Sequence, residues 1–311
     1  QRPTGAGVGR VHDDQSLAVG YVRHLVRSVG PVRFDGITVV LDCANGAAHR
    51  VGPEAFEALG ATVIRLHADP DGININENCG STHPEQLQRA VVENRADLGL
   101  ALDGDADRCL AVDADGQLVD GDQILAILAL SLAEEGRLAG QTLVATVMSN
   151  LGLVQAMKAA DIAVLQTRVG DRYVLEAMKA GGYVLGGEQS GHVVLSEHAT
   201  TGDGILTGLQ LVRRIATSEQ PLSKLAAVMT RLPQVLINVP GVDKTRADSD
   251  PALSEAVAEA TAELGSAGRV LLRPSGTESL VRVMVEAESA ERATAIAERL
   301  AAVVRTSLAL T

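Results

Sequence analysis

The sequence predicts an α/β protein: two successive α/β domains with mostly parallel sheets flanked by helices, then a small C-terminal α+β domain. Three observations carry this. Short β-branched apolar runs alternate with helical segments up to about residue 230. The rhythm changes after Pro233. Hydrophobic residues make up 46% and charged residues 21%, which excludes global disorder. Aromatics are only 2%, so Ala, Val, Leu and Ile must fill the core.

Residues 1–15 are Gly-rich and polar and read as a linker. The run 37–41 is apolar and β-branched and predicts a buried strand. A helix is expected over 52–59, with Pro53 in its first turn. Strand 61–66, helix 84–94 and strand 98–102 follow, and Asp115-Gly116 marks a hairpin after 110–112. The second series is helix 123–135, strand 143–147, helix 151–160, strand 162–166, helix 172–180, strand 183–185 and helix 204–216. The last domain is expected to hold strands 235–239, 270–272 and 280–286 and helices 251–264 and 290–304. The domains are placed at 16–114, 115–230 and 231–311.

Composition excludes several functions. With no Trp, three Tyr and two Phe, a base-stacking nucleic-acid platform is ruled out. A net charge of −12 opposes binding to nucleic acid or an anionic membrane. An anionic substrate then needs a local basic pocket or a metal ion. The three cysteines have no paired spacing, which predicts no disulfide framework and a reducing, cytoplasmic setting. No apolar run is long enough for a bilayer, and no signal region opens the chain. The chain begins without Met, and the expectation is a piece of a longer protein.

Four stretches carry chemistry. In Asp103-Gly104-Asp105-Ala106-Asp107-Arg108, three alternate carboxylates follow a buried strand. Two such charges ~4 Å apart repel by roughly 4 kcal/mol at an effective dielectric constant of ~20. An all-oxygen set of this kind points to Mg²⁺ or a similar hard cation; the bland alternative is an exposed acidic turn. Gly186-Gly187-Glu188-Gln189-Ser190-Gly191-His192 lets backbone approach a ligand. Glu188 and Ser190 could hold sugar hydroxyls, and His192 could move a proton; a flexible turn with one surface His remains the alternative. Arg273-Pro274-Ser275-Gly276-Thr277-Glu278, with Arg282 beyond, combines hydroxyls, consecutive N–H groups and two guanidiniums. That suits a phosphate, or else is an ordinary hairpin. Arg168-Val169-Gly170-Asp171-Arg172 offers two cations and a natural N-cap, Asp171. No nucleophile elbow or Walker sequence occurs, and Ser149-Asn150 reads as a cap.

A metal loop, a sugar-type loop and a phosphate loop in this order resemble the α-D-phosphohexomutase family. Cys43-Ala44-Asn45-Gly46-Ala47, Asn76-Glu77-Asn78-Cys79-Gly80-Ser81-Thr82-His83-Pro84, Val169-Gly170-Asp171-Arg172-Tyr173-Val174 and Gly187-Glu188-Gln189-Ser190-Gly191-His192 carry the likeness, from about residue 4 onward. The resemblance implies four domains, the last like the TATA-binding-protein fold. It assigns this chain the second to fourth, with an N-terminal domain bearing a phosphorylated serine missing. It implies interconversion of glucosamine 6-phosphate and glucosamine 1-phosphate through an enzyme phosphoserine and a 1,6-bisphosphate. This chain would then be inactive alone. Asp103, Asp105 and Asp107 would hold Mg²⁺, while Arg108 and His192 would be catalytic. Arg168, Gly170, Asp171, Glu188, Ser190, Arg273, Ser275, Gly276, Thr277 and Arg282 would bind the phosphosugar. Arg168 stands where the family commonly has Lys, and Ser279 where it usually has Pro. Gln189 favours glucosamine over the glucose or mannose of sister mutases. A non-catalytic Mg²⁺ and phosphosugar-binding fragment is the competing class. A homodimer is left open.

Overall fold

The structure is a computed structural model that describes residues 2–10, 14–275 and 278–310. It divides into two compact units. One runs through Val147 and adds Leu165–Val228; the other is Met148–Val164 with the residues from Met229 on.

The first unit opens with α1 (Gln15–Val29), capped where the Asp14 carboxylate accepts from the Ser16 N–H. This helix was not expected. Its buried stripe is narrow, with Leu25 and Val29 inside and Leu17 exposed. Then come β1 (Thr38–Asp42), α2 (Ala48–Ala58), β2 (Thr62–Leu66), α3 (Glu85–Asn94), β3 (Leu98–Leu102), β4 (Cys109–Asp113) and β5 (Leu118–Val119). They build a five-stranded sheet of order β2-β1-β3-β4-β5. β1 pairs parallel with β2 and β3, and β4 and β5 add antiparallel strands. The sheet is therefore mixed. Val40, Leu87, Val91, Ala101 and Val112 fill one layer beside it. The expected start of α2 is corrected: the helix begins at Ala48, leaving Pro53 inside rather than in the first turn. A helical Pro removes one N–H bond, which burial of Ala55 and Phe56 offsets.

Next in the chain are α4 (Gly121–Glu134), β6 (Thr142–Thr146), α5 (Leu151–Ala159), β7 (Ala163–Thr167), α6 (Asp171–Gly181), β8 (Leu185–Gly187), β9 (Val193–Leu195), α7 (Gly204–Ser218) and α8 (Leu222–Ala226). The strand order is β7-β6-β8-β9, with β6 and β8 parallel and β8 and β9 antiparallel. The strand expected at 183–185 lies later and takes in the glycine pair. β9 and α8 were unexpected, being too short to show a period.

The second unit contains α5 and then β10 (Gln234–Pro240), α9 (Pro251–Leu264), β11 (Arg269–Pro274), β12 (Leu280–Glu286) and α10 (Ala290–Ser307). Its sheet is antiparallel, of order β10-β12-β11. Val239, Val281, Val283 and Val285 pack with Leu253, Ile296, Leu300 and Val304. Asn150 caps α5 as expected, its Oδ1 accepting from the Gly152 N–H at 3.0 Å. Among the described residues, no helix is long and apolar enough to cross a membrane.

Candidate active site

The acidic loop joins β3 to β4. Leu102 and Cys109 are paired, so residues 103–108 form the hairpin between them. Ala106 takes a positive φ of 61°, and its N–H returns to the Asp103 carbonyl at 3.0 Å. Asp103 is 1% exposed. Its carboxylate accepts from the Arg108 N–H at 3.1 Å and from Arg108 Nε at 2.6 Å. One carboxylate oxygen each from Asp103, Asp105 and Asp107 lies within 4.8 Å of the others. Burial pushes the Asp107 carboxyl up, and the negative charges of Asp103 and Asp105 and a hydrogen bond with Asp103 add to it. His192, with Nε2 3.7 Å from Asp107 Oδ2, opposes the rise. Three carboxylate oxygens this close concentrate negative charge. A hard divalent cation fits there, because it would offset that charge with an all-oxygen ligand set.

The glycine loop turns from β8 into β9. Backbone bonds stitch it together and to its neighbours: Glu188 N–H to His192 O at 2.9 Å, Cys109 N–H to Gly191 O at 3.0 Å and Gly121 N–H to Gln189 O at 3.0 Å. Gly191 has φ 94°, and a Cβ there would sit 2.5 Å from the Cys109 carbonyl oxygen, so only glycine fits. Arg108 and His192 form an isolated bridge, which places the metal and sugar-type loops side by side. Glu188 Oε1 accepts from the Gly170 N–H at 3.0 Å, so the start of α6 aims this carboxylate. His192 is buried, and its Nδ1 has no hydrogen-bond partner.

A cleft of about 410 Å³ gathers Asp103, Asp105, Asp107 and Arg108, Gly170 and Asp171, and Glu188, Ser190 and His192. Three separate sequence stretches thus line one cavity. Asp171 is corrected from N-cap to first helical residue. Gly170 is the cap, and the Asp171 side chain accepts from the Arg172 N–H at 2.7 Å. Arg168 does not line this cleft: it is exposed and stacks 4.2 Å over the Tyr173 ring. Gln189 turns to Asp120, donating to its Oδ2 at 3.3 Å. Asp120 also caps α4 in a reciprocal box with Gln123.

In the second unit, Arg273 and Arg282 are direct partners across β11 and β12. Burial, then the neighbouring Arg282 charge, lowers the Arg273 pKa. Two opposed cations repel, and an anion between them relieves it. Glu278 meets Arg282 at 3.0 Å, while Arg282 Nε is buried without a hydrogen-bond partner. Buried Ser275 accepts at Oγ from the Glu278 N–H at 3.2 Å. Gly276 and Thr277 lie outside the described residues. Sequence reasoning missed Lys244, whose Nζ donates to the carbonyls of Ser275 at 2.7 Å and Glu278 at 2.9 Å. It stands in no motif, so only the fold reveals it.

Residues 19–116 match the phosphoglucomutase/phosphomannomutase alpha/beta/alpha domain II, 120–232 match domain III and 236–303 match the C-terminal domain. A phosphoglucosamine mutase of Nocardioides sp. is 63% identical over 309 residues, covering 99% of this chain and 69% of that relative. One from Streptomyces griseus is 62% identical, covering 99% and 68%. An Aspergillus fumigatus N-acetylphosphoglucosamine mutase, solved with GlcNAc-6P and magnesium, superposes with a TM-score of 0.77 at 24% identity. That match covers 92% of this chain and 70% of the other and shows the shared fold. The chain belongs to the α-D-phosphohexomutase family of isomerases, and the relatives it matches are phosphoglucosamine mutases.

Proposed function

We propose that the chain carries the metal, sugar and phosphate grips of a mutase interconverting glucosamine 6-phosphate and glucosamine 1-phosphate. The observation that supports it most is the single cleft holding three carboxylates, Arg108, Glu188 and His192. Asp103, Asp105 and Asp107 would hold Mg²⁺, which supplies charge neutralisation to a phosphoryl group when bound. Arg108, oriented by Asp103, adds a second positive charge beside it. Glu188 and Ser190 accept from and donate to sugar hydroxyls, with Glu188 aimed by Gly170. His192 Nε2 exchanges a proton with the reacting hydroxyl. Arg273, Ser275, Gly276, Thr277 and Arg282 grip the non-reacting phosphate, which orients substrate in both half-reactions. Arg168 and Asp171 provide charge near the start of α6 rather than direct contacts within the acidic loop.

The phosphoryl carrier in this proposal is a serine on an N-terminal domain outside these 311 residues. It gives its phosphoryl group to the sugar hydroxyl, and the bisphosphate returns its other one. The domain limits 16–114, 115–230 and 231–311 belong to the same proposal, as does the cytoplasmic setting. With Gln189 engaged by Asp120, the preference for glucosamine rests on the relatives' names. The test is ³¹P NMR of the purified chain with glucosamine 6-phosphate and Mg²⁺. Perturbed substrate signals without glucosamine 1-phosphate are expected. Conversion would overturn the placement of the carrier, and absence of any binding would overturn the site.

A further inference from the structure

We infer that Asp42, His67 and Cys79 form a second metal site in the first unit, one suited to a zinc-class divalent cation. It goes beyond the mutase proposal and shares no ligand with the acidic loop. β1 ends in Asp42, and its register partner Leu66 ends β2, so His67 emerges at the same sheet edge. Cys79 arrives on the loop that follows β2. One ligand atom from each of the three lies within 4.8 Å of the others. Asp42 and Cys79 are fully buried, and the His67 side chain is 19% exposed, which leaves one side for entry.

The placement of His67 carries the argument. Gln86 Nε2 donates to the Asn78 carbonyl at 3.4 Å, which fixes the amide and turns Oε1 toward the ring. His67 Nε2 lies 3.2 Å from that oxygen. Buried Nδ1 sits 3.0 Å from Asp42 Oδ2, a close contact without hydrogen-bond geometry. A divalent cation held between these two atoms and the Cys79 sulfur would satisfy all three. Zn²⁺ bonds of about 2.0–2.2 Å to N and O in a tetrahedron put neighbouring ligand atoms ~3.3–3.6 Å apart, so this pair would open by a few tenths of an ångström on binding. The outer bond from His67 to Gln86 is the orienting kind that metal-bound imidazoles make.

The surroundings hold the set in place. Asp42 Oδ1 accepts from the Ala44 N–H and Oδ2 from the Gly80 N–H, each at 2.9 Å. That leaves Oδ2 a second lone pair for the ion. His67 has a φ of 44°, a conformation a side chain-bearing residue keeps only when its surroundings impose it. Gly80, at φ 70°, would place a Cβ 2.4 Å from the Leu102 carbonyl oxygen, so its lack of one lets the Cys79 loop close on β3. A mixed O, N and S set selects zinc over magnesium, and three protein ligands leave a fourth position for water.

The test is titration of the purified chain with cobalt(II) and zinc. A thiolate-to-cobalt charge-transfer band is expected, together with one zinc equivalent that excess Mg²⁺ does not displace. Cys79→Ser abolishes the band and that equivalent, while Asp103→Asn keeps both. Gln86→Leu weakens zinc binding about tenfold or more. A wild-type chain without the band, or a band that survives Cys79→Ser, overturns the inference. Should Cys79→Ser fail to fold, the Cys43→Ser/Cys109→Ser variant decides, since Cys79 is then the only thiol. A band there supports the site, and none overturns it.

Discussion

Arg273 and Arg282 stand opposite each other in the same register pair, a placement that costs folding energy unless an anion fills it. The proposed function puts a phosphate against these two planar guanidiniums. Arg273→Lys keeps the charge but loses the fork. A lost charge-assisted hydrogen bond costs roughly 1.5–3 kcal/mol, or about ten- to a hundredfold in affinity. Calorimetry with glucosamine 6-phosphate should show that loss, and unchanged binding would remove this loop from the site. Asp107 makes a second prediction. Its carboxyl is raised above the ordinary 3.8, so the folded chain binds more protons there than the unfolded one. Its contribution to stability is full below 3.8 and fades as pH rises through the raised value. The Asp107→Asn variant should therefore gain on the metal-free wild type as pH climbs from 3.8. Thermal melts at several pH values would read this, and a pH-independent gap would refute it. At this scale the sequence was informative where carboxylates alternate in one hexapeptide. It named Arg168 as a phosphosugar-binding cation but could not show its stacking on Tyr173, which depends on how α6 starts.

Lys244 and Glu286 act on whole elements. Lys244 ties both shoulders of the loop between β11 and β12. Lys244→Met keeps the aliphatic stem and frees the carbonyls. Phosphosugar binding is expected to weaken about tenfold, from the loss of a charged hydrogen bond. Wild-type affinity in that variant would deny Lys244 its positioning role. Glu286, 0% exposed, closes the end of β12. It accepts from Arg269 at 3.0 and 3.1 Å and from the Leu151 N–H at the start of α5 at 2.9 Å. Removing one partner of a buried pair leaves the other charge uncompensated, at about 3–5 kcal/mol. Glu286→Leu should lower the unfolding free energy of the second unit, read by urea denaturation, by that amount, and a change under ~1 kcal/mol would mean solvent already screens the pair. Element types were legible where periods were long: α9 and β12 have the expected bounds. α1, α8 and β9 were not, since a narrow stripe or a very short strand buries too few residues to stand out.

At the scale of the whole chain, a net charge of −12 surrounds an acidic loop, so the metal-free protein works against its own field. Saturating Mg²⁺ should stabilise it by about 2.7 kcal/mol at a hundred times the dissociation constant. Asp105→Asn should remove most of that gain. Equal Mg²⁺ shifts in both proteins would reject the ligand set. The sequence by itself determined the class of the fold and which stretches are candidates for a ligand. Both depend on local order: strand and helix periods, alternate carboxylates, and glycines at turns. The tertiary structure alone decided which loops share the cleft, that Gln189 serves Asp120, that Lys244 braces the phosphate loop, and that Asp42, His67 and Cys79 meet. Parallel register brings Asp42 and His67 to a single sheet edge, while the acidic and glycine loops and the loop under Lys244 are turns between antiparallel strands that only long-range packing brings to their partners.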